Sequence, residues 1–247
     1  MPKPTAPSKP KPKNTWGGKR AGAGRKPRPG RRAVPHRVRS HRASEPVLVT
    51  LRSVVKPLRK PAIFAATFGV VADMNARHGK RFRIVHFSLQ VDSVLLIVEA
   101  PNRKALLAGV RGVAVSLARR VNEVVSRRGR LFDDRWQGDA LPTPEAVRAA
   151  LVRLFNGFKR PAPAGRPSPG RRPRTSSEQA LDPFSSAPFF PGFAEYSGKP
   201  PLETEPTLLP RALRDHGIPV VDPVSALLAD GWLRLGRLSV DEVPKAD

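Results

Sequence analysis

Between Pro46 and roughly residue 160 apolar side chains recur at strand or helix spacing, and on both sides the chain gives way to Pro, Gly and Arg. A stretch without periodic apolar residues buries too little surface to offset the entropy of ordering it, so any folded core is confined to the middle of the chain. Residues 1–45 hold one acid, Glu45, among Pro, Gly, Lys and Arg, and read as a disordered basic arm. Residues 161–181 return to the same texture and read as a Pro-rich linker. Residues 182–247 carry Phe184, Phe189, Phe190, Phe193 and a helical stretch containing Trp232. That is too little apolar content for a separate domain, and the segment is expected to pack back onto the core at 46–160.

Within the core, Val47-Leu48-Val49-Thr50-Leu51 is short and β-branched with Pro57 beyond it, which predicts a strand. Over 61–78, Ile63, Phe64, Thr67, Val70, Val71 and Met74 fall at helical spacing, with Pro61 suited to the first turn and Gly79 to the stop. Apolar runs at 82–89 and 94–98 flank Gln90-Val91-Asp92-Ser93 and predict a hairpin. Asn102 can cap a second helix whose Leu106, Leu107, Val110, Val113, Leu117, Val121, Val124 and Val125 form one stripe, with Arg111, Arg119 and Arg120 mostly off it. Residues 130–137 predict a last strand or extended edge. Thr143-Pro144-Glu145 then opens a third helix running to Lys159, with a cap, a first-turn proline and a dipole-matched acid. The order is the split βαβ pattern of a ferredoxin-like α+β fold, an antiparallel sheet with helices on one face.

Charge narrows the function. Forty-five Lys and Arg against 20 Asp and Glu give a formal net charge of +25. An excess of this size calls for a polyanion, and nucleic acid is favoured because each neutralised phosphate releases condensed counterions. A membrane partner is not expected, since no basic amphipathic helix with aromatic anchors and no apolar run of spanning length is present. The chain has no cysteine, which excludes disulfides and thiolate metal sites, and Met1-Pro2-Lys3-Pro4 opens no apolar leader, so a cytoplasmic, nucleoid-associated location is expected.

Several segments together resemble one family. They are Gly17-Gly18-Lys19-Arg20-Ala21-Gly22-Ala23-Gly24-Arg25-Lys26, Arg83-Ile84-Val85-His86-Phe87-Ser88-Leu89-Gln90, Leu96-Ile97-Val98-Glu99-Ala100, Gly129-Arg130-Leu131-Phe132-Asp133-Asp134-Arg135-Trp136 and Thr143-Pro144-Glu145-Ala146-Val147-Arg148. In the tail they are Asp182-Pro183-Phe184-Ser185-Ser186-Ala187, Gly231-Trp232 and Asp241-Glu242-Val243-Pro244. In order and spacing this series resembles the single-tyrosine insertion-sequence transposases, in particular the REP-associated tyrosine transposases. The resemblance implies a ferredoxin-like nuclease core in which two histidines on alternate positions of one strand hold magnesium or manganese over the scissile phosphate of single-stranded DNA. Alternate strand residues point to the same side, so such a pair presents both imidazoles to one ion, and a helical tyrosine then forms a covalent phosphotyrosine.

The pattern places the histidine pair at Ser93 and Leu95 and the nucleophile at Arg153. None of the three can do the family's chemistry: serine is at best a weak oxygen ligand, leucine is none, and arginine cannot form a phosphotyrosine. The family's tyrosine and histidine after Asp134-Arg135 are Trp136 and Gln137, the one tyrosine of the chain is Tyr196, and the histidines His36, His41, His78, His86 and His216 are scattered without any His-x-His. No intact catalytic residue and no metal site or cofactor is expected, and His86 reads as a packed, hydrogen-bonded strand residue.

What the resemblance leaves is DNA binding, to single-stranded or hairpin-forming repeats. Candidates for phosphate contact are Arg25, Lys26, Arg28, Arg31 and Arg32 in the arm, Arg119, Arg120, Arg127, Arg128 and Arg130 near the core, and Arg153, where a cation replaces the nucleophile. Two other functions compete: an active metal-dependent transposase using Asp92, Glu99, Asp133 and Asp134 as ligands, and a nonspecific RNA- or DNA-binding basic protein, for which Phe82, Phe87, Phe132 and Trp136 are the rings on the strands.

Overall fold

A computed structural model describes residues 41–133, 135–159, 181–196, 198–201 and 219–244. The expected arm, apart from its last residues, and the expected linker, apart from Leu181, lie outside the described residues. The order of elements is β1 (Val47–Arg52), α1 (Pro61–His78), β2 (Arg83–Leu89), β3 (Ser93–Glu99), α2 (Arg103–Val124), β4 (Gln137–Ala140) and α3 (Pro144–Asn156). The strands form one antiparallel sheet in the order β2-β3-β1-β4, the arrangement of a ferredoxin-like α+β fold.

The central strands are apolar on both sides, and this decides where the helices go. Val47, Val49 and Leu51 of β1 and Val94, Leu96 and Val98 of β3 point into a core shared with α1 and α2. Leu48, Leu95 and Ile97 point the other way, into a second core with Val147, Leu151, Leu154 and Phe155 of α3. α1 and α2 thus share one face as the split βαβ repeat requires. α3, which follows the repeat, covers the opposite face, because two exposed apolar strand faces cannot both be left to water.

Helix ends follow their local signals. Asn102 Oδ1 accepts from the Ala105 amide at 2.9 Å and Thr143 Oγ1 from the Ala146 amide at 3.2 Å. The apolar stripe of α2 is narrower than its sequence suggests: Leu106, Val110, Val113, Leu117 and Val121 are buried, while Leu107 and Val124 are exposed. Gly109 lies on the flank of this stripe, and a Cβ there would fall 2.2 Å from the Phe82 ring, so α2 closes on the sheet only without a side chain at that position.

The last strand, Gln137–Ala140, begins where the 130–137 segment ends and shares only Gln137 with it. Leu131 and Phe132 act as apolar anchors beside β1, with an isolated bridge between Ser53 and Phe132, and the ladder itself is made by Gln137–Ala140 against Val47–Thr50. Gln-Gly-Asp-Ala has little intrinsic strand preference; it pairs because β1 presents an unfilled edge, a case of tertiary context overriding propensity.

Residues 181–201 and 219–244 pack against the same body. Asp182, 1% exposed, receives both ends of the Arg59 guanidinium, at 2.6 and 3.0 Å. Leu89 N donates to Phe184 O at 2.8 Å and Ser186 N to Phe87 O at 2.9 Å, so this stretch closes the outer edge of β2. Phe190, Phe193, Leu228, Trp232 and Leu238 complete the second core. No described helix is long and apolar enough to cross a membrane.

Candidate nucleic-acid interface

Two places carry the residues singled out by sequence. The first is the end of α2 and the loop after it. Ser126 and Gly129 adopt positive φ, 50° and 103°, and turn the chain back toward β1. The loop is fastened there by Val54 N donating to Leu131 O at 2.9 Å and Asp133 N to Arg52 O at 3.1 Å, with Leu131 buried beneath. Arg127 donates from Nη1 to Arg130 O at 2.8 Å, and Arg130 donates from Nη2 to Asp133 O, so these two guanidiniums hold the loop together. A guanidinium has five N–H donors, which leaves most of each for solvent or phosphate. Arg119, Arg120 and Arg128 are exposed and make no ion pair among the described residues. The arm candidates Arg25, Lys26, Arg28, Arg31 and Arg32 lie outside the described residues.

The second place is the sheet face under α3. Strand alternation directs Ser93 and Leu95 of β3 to that one side, as a His-x-His pair would be. Leu95 is 3% exposed and packed in the core with Leu48, Ile97 and Leu151, an apolar setting that would not hold a cation. Arg153, on α3, is half-buried at a cleft of about 490 Å³ whose rim also carries Asp139, Glu145, Arg148 and Glu242. Arg148 is committed to Glu242, Nη2 to Oε2 at 2.8 Å, and Arg153 is itself engaged within the fold. Three acids against two arginines make this rim a poor phosphate site, and Arg153 stands apart from the α2 group, on the other side of the sheet.

His86 shares the α3 face. It is buried between Phe155 and Phe190, ring centroids 5.3 and 5.2 Å away, with Ser186 Oγ at 3.5 Å from Nδ1. Removal from water pushes its pKa down from 6.5 to about 3, so it is a neutral imidazole at pH 7. This is the packed role read from the sequence. Tyr196, remote along the chain, is brought onto the same core, edge-on to Phe193 at 6.3 Å.

The carboxylates proposed as alternative ligands do not converge. Asp92 and Glu99 stand at the two ends of β3, about 23 Å apart along the strand. Asp92 pairs with Lys56 at 3.4 Å, and Glu99 accepts from the Val224 and Ser225 amides at 2.8 and 3.0 Å and from Ser225 Oγ at 2.6 Å. Glu99 therefore anchors the returning chain, through backbone amides and a hydroxyl. Asp133 is exposed on the loop after α2, and Asp134 lies outside the described residues.

Sequence reasoning missed the use of Asp182 and Glu99 as anchors. Their partners, Arg59 and Ser225, are 123 and 126 residues away, and no local pattern marks such pairs. Neither protein-family models, curated proteins nor solved structures gave a match to the chain.

Proposed function

We propose that this chain is a transposase-like DNA-binding protein that grips hairpin or single-stranded repeat DNA through its backbone and does not nick it. The observation that carries the reading is the pair of faces. On one, Ser93, Leu95 and Arg153 lie at and under α3, where the resemblance calls for two metal-binding imidazoles and a nucleophile, and Leu95 is sealed in an apolar core. On the other, Arg119, Arg120 and Arg128 stand exposed without acidic partners among the described residues. Loss of cutting groups leaves the electrostatic half of the activity in place, because phosphate binding depends on charge count and not on the catalytic constellation.

The arm adds to this. Thirteen Lys and Arg and no acid lie in residues 1–40, about half of the net +25. Such a segment supplies sequence-independent affinity, while base contacts would have to come from elsewhere.

Purified protein incubated with labelled hairpin DNA and magnesium or manganese is expected to shift the DNA in a native gel and to leave no covalent species after denaturation. A covalent adduct that survives in wild type and is lost in Tyr196→Phe would overturn the proposal. Equal affinity for hairpin, duplex and RNA would replace it with a nonspecific polyanion binder.

A further inference from the structure

Helix α2 carries its charges against its own dipole. Its first two residues are Arg103 and Lys104, it has no acid in its first turn, and its last turn holds Glu123 and no base. Cations repel the partial positive charge of a helix start and anions the negative end, so this arrangement costs stability where the reverse would add to it. α3 is the contrast within the same molecule: Glu145 occupies the first turn and Arg153 the last. Backbone and Thr143 hydrogen bonds hold the Glu145 carboxyl below its usual pKa.

The rest of α2 deepens the anomaly. No acid occurs from Arg103 through Asn122. At about 100° per residue, Lys104, Arg111, Val115 and Arg119 fall within an arc of about 80°, directly opposite the stripe that packs on the sheet. Lys104, Arg111 and Arg119 are exposed and make no ion pair among the described residues. A helix needing only solubility would interleave acids at i+4, which stabilise it through pairing. Positions between these cations are instead small or apolar, Ala108 and Val115 among them.

Resting on the DNA-binding reading above, we infer that this row is the surface that seats one strand of a duplex, the stem of a hairpin, against the fold. Three cations span about 22 Å on a rigid helix. At its start, Lys80 and Arg81 of the α1–β2 loop share a shallow cavity with Ala100 and Pro101, which lead into α2, and extend the positive surface. At its end stand Arg120 and Arg128, both exposed. The row offers no aromatic ring, whereas a single strand is held on stacking platforms. A stem shows its phosphates outward at fixed intervals and asks only for positive charge in a line. Sequence alone placed Arg119 and Arg120 among the phosphate contacts; the fold adds Lys104 and Arg111 and removes Arg153 from the same surface.

The test compares full-length wild type with Lys104→Gln/Arg111→Gln/Arg119→Gln and with Arg42→Gln/Arg77→Gln/Arg234→Gln. The second set removes equal charge from exposed positions that are ion-paired in the fold. Glutamine keeps helix propensity, and urea midpoints check that all three proteins fold. Affinity for a hairpin and for an unstructured strand of equal length is measured from 50 to 200 mM salt. The α2 variant is expected to lower the slope of log affinity against log salt on the hairpin by about 2.7, a roughly 40-fold smaller loss of affinity over that range, with the control set unchanged. Wild-type binding with the same slope in the α2 variant overturns this inference alone, and absence of wild-type binding overturns the proposed function beneath it. A slope change as large on the single strand would overturn the assignment to a stem. Loss of binding to phosphatidylserine vesicles with DNA binding intact would assign the row to a lipid surface instead.

Discussion

Acidification from pH 7 to pH 5 should weaken the fold through one residue, His86. In the folded chain its imidazole lies between Phe155 and Phe190 and its pKa is pushed down to about 3, against 6.5 when exposed. As pH falls below 6.5 the unfolded chain gains a proton that the folded chain refuses, so the unfolded state is favoured, and stability is lost progressively down to about pH 3. Linkage with these two values gives a loss of about 2 kcal/mol between pH 7 and pH 5, after about 0.2 kcal/mol already present at pH 7. For a urea dependence of about 2 kcal/mol/M, the midpoint drops by about 1 M from this residue alone. His86→Leu keeps an apolar fit to the two rings, gives up only the long contact to Ser186, and cannot titrate. All other titratable groups are common to both proteins and cancel in the difference. Urea melts at pH 7, 6 and 5 should therefore show the stability gap between wild type and His86→Leu moving by about 2 kcal/mol in favour of the variant. A gap independent of pH would refute the burial argument.

Three further outcomes follow from the packing. Arg59→Ala should cost about 3–5 kcal/mol in a denaturant melt, since it strands the buried Asp182 carboxylate. Arg59→Lys should recover only part of this, because the two-ended contact is lost. Gly109→Ala, which would gain about 1 kcal/mol on helix propensity, should instead lower the thermal midpoint because of Phe82, and Phe82→Leu should relieve the loss. Ser93→His/Leu95→His should not confer nicking on hairpin DNA with manganese, and should destabilise the fold by burying an imidazole where Leu95 packs.

Much of this fold can be read from residue order because its elements carry local marks. Pro61, Asn102 and Thr143 stand at helix starts, and each core helix shows its apolar stripe. β3 also reads clearly, as an uninterrupted apolar run, but such a run does not say what covers each side, and α3 on the second face was not legible from it. β4 was misplaced because Leu131 and Phe132 look more like a strand than Gln137–Ala140 does. At the proposed binding surface, arginines near the end of α2 are visible in sequence, but their division into loop-holding and free side chains depends on Arg127 and Arg130 reaching nearby carbonyls. Arg153 is a candidate phosphate contact by its place in the resemblance; of the three acids at its cleft, Asp139 comes from β4 and Glu242 from the tail, which sequence does not bring together with α3.

The notch at Gly109 bears on what α2 can present outward. With the Phe82 ring lodged against bare backbone, the helix can neither roll about its axis nor slide along it without ejecting an aromatic side chain from the core. Its outward azimuth is consequently decided during folding, and a ligand meeting that side finds the direction already chosen, with no orientational entropy left to surrender at that step.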